Sequence, residues 1–332
     1  MSPKPATLSI VVPCLNEEEI LPFAKKVFLG FLQRLIDLGK VSPTSRICFI
    51  DDGSKDSTWF LIQKYQRESE RVQGIKLSRN FGHQNALLSG LFSVGGDVVV
   101  TIDVDLQDDI LTIEKMLDRF YQGHDIVYGV RRKRDSDTFF KRSTSLLFYR
   151  LMRAFGCNII HNHADFRLLS RKAIHVMRGF SEVNLFLRGI VPFLGFRSSC
   201  VYYDRAQRYA GKSKYSLKKM AELAFQGITS FSVFPLKVIT VTGFFVFLIS
   251  FAVGVWALLG KLHGKAVAGW LSTVVIVAFF GGIQIFSIGI IGEYIGKIYG
   301  ETKRRPRFII DHYVGFDSPC KDSCEPLIRT FE

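Results

Sequence analysis

The chain has 332 residues, enough for two domains of ordinary size or one catalytic domain plus an appendage. Lys and Arg number 44 against 30 Asp and Glu, a formal net charge of +14, while 48% of the residues are hydrophobic. Basic charge and apolar bulk seek different solvents, so they must be segregated along the chain. Together they exclude a freely soluble protein, a disordered chain and a disulfide-stapled secreted module.

The N-terminal part alternates short β-type runs with helical stretches. Leu8–Pro13, Arg46–Asp51, Gly74–Leu77, Asp97–Ile102 and Asp125–Gly129 are the predicted strands, and Glu18–Leu38, Ser57–Ser69, His83–Val94 and Ile110–Tyr121 the predicted helices. This βαβα order implies a mostly parallel sheet covered by helices, an α/β domain expected to occupy residues 1–214. Segments near 138–155 and over 215–234 mix Lys and Arg with Phe, Leu and Met at helical spacing, as expected for amphipathic helices on a membrane surface or, alternatively, for ordinary amphipathic packing on the α/β domain.

Val238–Gly260 and Ala266–Gly292 carry no charge. As helices they would measure roughly 34 and 40 Å against a hydrocarbon core of about 30 Å. Two transmembrane helices are therefore expected, over 235–260 and 266–296, joined as a hairpin by a five-residue turn that begins at Lys261. Basic flanks before Val238 and at Lys303-Arg304-Arg305-Pro306-Arg307 put the catalytic domain, both termini and the 297–332 tail in the cytoplasm, at the inner (plasma) membrane. The two lysines of the turn run mildly against that orientation. The run Leu8–Pro13 is too short for a signal-peptide core. Six cysteines without a CxxC motif are expected to be free thiols of a reducing compartment.

In parallel sheets ligands sit beyond the carboxyl ends of the strands, so chemistry is sought there. Thr101-Ile102-Asp103-Val104-Asp105-Leu106-Gln107 ends a strand on two carboxylates spaced i, i+2, hard donors suited to Mg²⁺ or Mn²⁺. Such an ion would neutralise a diphosphate leaving group. Asp51-Asp52-Gly53-Ser54 ends another strand and can accept hydrogen bonds from a base or a ribose, or simply turn the chain. Neither a Walker loop nor the G-x-G-x-x-G fingerprint is present, which removes the main support for an ATPase or a dehydrogenase. Cations cluster at Arg131-Arg132-Lys133-Arg134 and at Arg205, Arg208, Lys212 and Lys214, fit for phosphate. A nucleic acid would use the same residues, but tethering beside two spans makes anionic lipid the more economical partner, and no nucleic acid is expected.

Pro13-Cys14-Leu15-Asn16-Glu17, Asp51-Asp52-Gly53-Ser54, Arg79-Asn80-Phe81-Gly82, Asp103-Val104-Asp105-Leu106-Gln107, Ala164-Asp165-Phe166-Arg167-Leu168 and Gly292-Glu293-Tyr294-Ile295-Gly296, in this order and with the hairpin, resemble the polyprenyl-phosphate glycosyltransferases of family 2. The match is nearest the bactoprenol (undecaprenyl-phosphate) glucosyltransferases of O-antigen modification, with dolichyl-phosphate mannose synthases as distant relatives. The resemblance runs from about Leu8 to Ile310 and implies a GT-A fold and an inverting transfer of glucose from UDP-glucose to a polyprenyl phosphate. By that resemblance Pro13, Asn16, Glu17 and Asp52 line the nucleotide pocket, with Asp52 toward the uracil. Asp103 and Asp105, assisted by Gln107, hold the metal and the sugar diphosphate. Arg131, Arg205 and Lys214 contact phosphates, and Asp165 takes the place of a catalytic carboxylate, so that Asp165, Asp103 and Arg205 form the catalytic set. One stretch departs: His83-Gln84-Asn85 stands where such glucosyltransferases commonly have Lys-Glu-Pro, which leaves galactose, mannose or an amino sugar as alternative donors. A processive polysaccharide synthase would need more helices, and a non-catalytic lipid-phosphate scaffold would not need both aspartates. A homo-oligomer is compatible with all of this.

Overall fold

The structure, a computed structural model, describes residues 4–132, 163–180, 187–204, 234–262 and 269–316. The amphipathic segments expected over 138–155 and 215–234 fall outside them, save Phe234, and so do Arg205 and Lys214. The described residues belong to two compact units, a sheet domain and a helical pair.

The sheet domain runs β1 (Leu8–Cys14), α1 (Leu21–Asp37), β2 (Arg46–Asp51), α2 (Thr58–Glu68), β3 (Val72–Leu77), α3 (His83–Ser93), β4 (Val98–Thr101), α4 (Thr112–Tyr121) and β5 (Ile126–Arg131). Then come β6 (His163–Ser170), α5 (Arg171–Arg178), α6 (Leu187–Phe193), β7 (Ser198–Tyr203) and, after the helical pair, β8 (Ile310–Val314). Strand order is β7-β5-β6-β4-β1-β2-β3-β8. Strands β1 to β4 are parallel, β6 is antiparallel to β4 and β5, and β8 is antiparallel to β3.

The central strands are buried on both faces, which explains their near-continuous apolar runs. Alternation along β1 divides the core: Leu8, Ile10 and Val12 pack with α1, α2 and α4, while Val11 faces the opposite layer of α3, α5 and α6. The chain builds β1, β2 and β3 outward and then crosses through α3 to set β4 on the other side of β1. The order of strands reverses there, so the carboxyl ends of β1 and β4 flank a topological switch point, where a crevice opens in such sheets.

The residues expected as a trailing cytoplasmic segment differ in one respect: Ile310–Val314 completes the sheet beside β3, with Tyr313 opposite Ile75. An edge strand with unpaired amides is a liability that this pairing removes.

The helical pair consists of α7 (Phe234–Leu262) and α8 (Trp270–Thr302), 29 and 33 residues long. Both expose large apolar side chains, Trp256 at 71% and Ile285 at 74% among them. Among the described residues Phe279–Thr302 is long and apolar enough to cross a membrane. Surfaces of this kind are stable in contact with lipid rather than water.

Candidate active site

The loops after β1 and β2 are laced together. Asn16, at a positive φ of 54°, donates its amide to Ser54 Oγ at 2.9 Å and accepts the Lys55 amide on Oδ1 at 2.8 Å. The Glu17 amide reaches Thr58 Oγ1 at 2.9 Å, and Glu18 accepts the Ser57 amide. Pro13 is buried within β1 opposite Ile50. These residues shape one wall of the crevice through their backbone and short polar contacts.

Asp52 forms the next wall. It is 2% exposed, and its two oxygens accept the amides of Phe81 at 2.8 Å and Gly82 at 3.0 Å. Burial raises the Asp52 pKa and these amides pull it down. Gly53, at φ 73°, lies so close to the β3–α3 loop that a Cβ would meet the Arg79 carbonyl carbon at 2.4 Å. The Asp51-Asp52-Gly53-Ser54 turn thereby fixes the start of α3, where Gly82 has φ 91°.

At the end of β4 the chain bends sharply, with Leu106 at φ 53° and the Gln107 amide donating to Asp105 Oδ1 at 3.2 Å. Asp103 stands in a crowd of carboxylates. Burial, together with Asp108, Asp165 and Asp105, pushes its pKa up to about 6 while His83 works the other way. Antiparallel β6 brings Asp165 alongside, since Thr101 pairs with Arg167 and Thr101 Oγ1 donates to the Asp165 carbonyl. His83 Nε2 lies between the two acids, 3.5 Å from Asp103 Oδ1 and 3.7 Å from Asp165 Oδ2. On its other side Asp165 Oδ1 accepts Arg167 Nη2 at 2.5 Å.

A divalent cation fits this end of the crevice. Crowded carboxylates whose charge is destabilised are what such an ion relieves, and Asp103 and Asp105 offer the hard oxygens it prefers. Among the described residues no group of three or more His, Cys, Asp or Glu side chains is placed to hold a metal ion by itself. Gln107 is buried, and its Nε2 has no hydrogen-bond partner among the described residues.

Arg131, at the end of β5, is engaged within the protein. Its guanidinium donates to Asp108 Oδ1 at 3.0 Å through Nη2 and to Tyr203 Oη at 3.2 Å through Nε, and Tyr203 itself donates to Asp108 Oδ1 at 2.5 Å. Burial opposes the Arg131 charge, and Asp108 with Tyr203 outweighs it, raising the pKa further. Tyr203 is pushed well above an ordinary phenol by burial and by Asp108, so it stays a donor.

The structure therefore brings together Asp103, Asp105 and Asp165 at one edge. Asn16, Glu17 and Asp52 stand on the neighbouring loops, Pro13 lies near the end of β1, and Arg131 is tied to Asp108 rather than standing free. Sequence reasoning passed over Asp108 and Tyr203 as site residues and saw His83 only as a departure from a pattern. The available signals were the acidic residue directly after Gln107 and the placement of His83 at the first turn of a helix facing the crevice.

The sequence matches families and proteins already known. The family model "Glycosyl transferase family 2" matches residues 9–177, and the model "GtrB C-terminal hairpin" matches 234–298. The chain is 50% identical over 306 residues to the uncharacterized glycosyltransferase YkoT of Bacillus subtilis, covering 92% of this chain and 91% of that one. It is 40% identical over 306 residues to a bactoprenol glucosyl transferase of Shigella phage SfX, covering 91% and 98%. Among solved structures, a mannosyltransferase from Pyrobaculum calidifontis in complex with GDP-Man and Mn²⁺ aligns at 14% identity and a TM-score of 0.47, covering 91% of this chain and 88% of that one. The chain belongs to glycosyl transferase family 2, as a GT-A glycosyltransferase whose catalytic domain is followed by a GtrB-type hairpin.

Proposed function

We propose that the protein transfers a hexose, glucose first among the candidates, from UDP-glucose to the phosphate of undecaprenyl phosphate at the cytoplasmic face of the membrane, with inversion. The observation that carries this reading is the acidic pair Asp103 and Asp105, beside Asp165, at the carboxyl edge of a sheet domain joined to a lipid-compatible hairpin. The full-length similarity to a bactoprenol glucosyl transferase supports the acceptor and the sugar.

A phosphate oxygen of the acceptor attacks the anomeric carbon, and the bond from that carbon to the diphosphate oxygen breaks. The acceptor phosphate is already ionised, so no proton must be removed, and the electron pair leaves on UDP. The protein's task is positioning and charge stabilisation. Asp103 and Asp105 would hold Mg²⁺ or Mn²⁺, which when bound supplies positive charge at the departing diphosphate. Gln107 backs this loop from the interior. Pro13, Asn16, Glu17 and Asp52 frame the uridine end, with Asp52 acting through the loop it clamps. Arg131, and Arg205 and Lys214 outside the described residues, serve the phosphates. The pairing of Asp165 with buried Arg167 favours an orienting role for this carboxylate over that of a base. α7 and α8 would be the two spans, tethering the enzyme to the membrane in which its acceptor resides.

The test is transfer of radiolabelled glucose from UDP-glucose to undecaprenyl phosphate by the purified protein. Asp105→Asn should lower turnover by at least about 100-fold, about 2.7 kcal/mol of barrier, without loss of folding. Undiminished transfer by this variant would remove the metal assignment, and a wild-type protein inactive with a panel of nucleotide sugars would remove the function.

A further inference from the structure

The first turn of α3 sends its side chains to separate elements. His83 Nε2 faces Asp103 and Asp165. Gln84 Oε1 accepts the amide of Leu187 at 3.0 Å, at the start of α6. The Leu187 carbonyl accepts Arg167 Nη1 at 3.2 Å, and the same guanidinium donates through Nη2 to Asp165 Oδ1. From His83 the path runs to Asp165, Arg167, Leu187 and Gln84, and one peptide bond returns it to His83. The ring spans α3, β6 and α6.

Arg167 is 2% exposed, and a guanidinium is tolerated at that depth only when its donors are matched. Asp165 and the Leu187 carbonyl accept from two of its nitrogens. Leu187 is thus gripped on both faces of its backbone, by Arg167 at the carbonyl and by Gln84 at the amide. Asp165 is pinned as well, because its carbonyl accepts Thr101 Oγ1 from the strand that leads to Asp103. Oδ1 accepts from Arg167, and Oδ2 lies 3.7 Å from the imidazole Nε2.

We propose that His83 and Gln84 are positioning residues for glycosyl transfer, closing a polar ring that holds the Asp165 carboxylate facing Asp103. The proposal rests on the reading of the site given above. It asks for a donor at residue 83 and an acceptor at residue 84. A displacement of about 1 Å at a reacting centre is enough to cost on the order of 100-fold in rate.

The experiment uses the full chain in detergent with UDP-glucose varied at fixed undecaprenyl phosphate. Gln84→Ala should lower kcat by about 10- to 100-fold with KM for UDP-glucose changed less than about threefold, and Gln84→Glu should recover most of the loss. Combining Gln84→Ala with Asp165→Asn should add almost nothing to the loss from Asp165→Asn alone, because the two act as a unit. Independent, multiplying losses, or an unchanged kcat in Gln84→Ala, overturn the proposal. Hydrogen exchange of the Leu187–Phe193 amides supplies a readout that needs no turnover. Asp165→Asn, which does not touch Leu187, should speed exchange at the first turn of α6 by about tenfold or more while α1 is unaffected. Unaltered exchange in that variant breaks the ring even if transfer is normal. A wild type that transfers no sugar would instead defeat the functional reading, leaving the exchange result to decide the ring.

Discussion

Asp103 carries a cost in stability for a carboxylate on which the proposed function relies. Its pKa, pushed up to about 6, lies above the ordinary carboxylate value, so the folded state binds the proton more tightly than the unfolded chain does. Stability of the metal-free protein therefore falls as pH rises between roughly 4 and 6 and stays reduced above that window. Asp103→Asn should raise the melting temperature at pH 7.5 and change it little at pH 4, while abolishing transfer. A melting temperature lowered at pH 7.5 would contradict the crowding of carboxylates. Tyr203 offers a second test. Tyr203→Phe removes one hydroxyl that donates to Asp108 and accepts from Arg131, leaving the packing of its ring on Phe166 intact. Loss of a buried hydrogen bond to a charged group costs about 1.5–3 kcal/mol. The expected result is a lower melting temperature together with a raised KM for UDP-glucose, read by denaturation and steady-state kinetics, because Arg131 loses one of its two anchors. None of this engagement was legible beforehand. That Arg131 would meet Asp108, or that Asp52 would spend its oxygens on the Phe81 and Gly82 amides, depends on groups 23 and 29 residues away and on the path of the backbone between them.

Among the elements, β1 to β5 and α1 to α4 were legible to within a few residues. Buried parallel strands are apolar runs, and the helices between them repeat at the helical period. β7 and β8 were not. Ser198–Tyr203 opens on small polar residues, and Ile310–Val314 is five residues with Asp311 and His312 inside it. Edge strands lack a second face to bury, so their composition carries little signal. β8 is nevertheless well specified in three dimensions. Gly315 ends it at φ 77°, its carbonyl accepts Gln73 Nε2 at 3.0 Å and Arg46 Nη1 at 3.3 Å, and a Cβ there would lie 2.7 Å from the Val72 carbonyl oxygen. Gly315→Ala should destabilise the sheet domain by about 1–3 kcal/mol, seen as a lower melting temperature with KM for UDP-glucose unchanged. An unaffected melting temperature would mean that β8 does not hold the edge of β3.

The helical pair points to membrane association. α7 and α8 expose apolar side chains that water would penalise, and the association they imply is hydrophobic rather than electrostatic. Membranes carrying the protein should therefore retain it through washes in about 1 M salt, where the Debye length is about 3 Å, and release it only to detergent. Release by salt alone would mean that the basic segments, not the spans, do the anchoring. Composition and pattern alone determined the class of the fold, the presence of long apolar helices and the edge on which the carboxylates gather, because each follows from local periodicity and strand order. Tertiary structure decided which of those carboxylates are available. It set Asp165 against Asp103 across His83, enclosed Arg167, joined Arg131 to Asp108 and returned the C-terminal strand to β3. Each is a contact between segments distant in the chain, and the energy of such a contact depends on burial and approach, quantities that exist only once the backbone has closed.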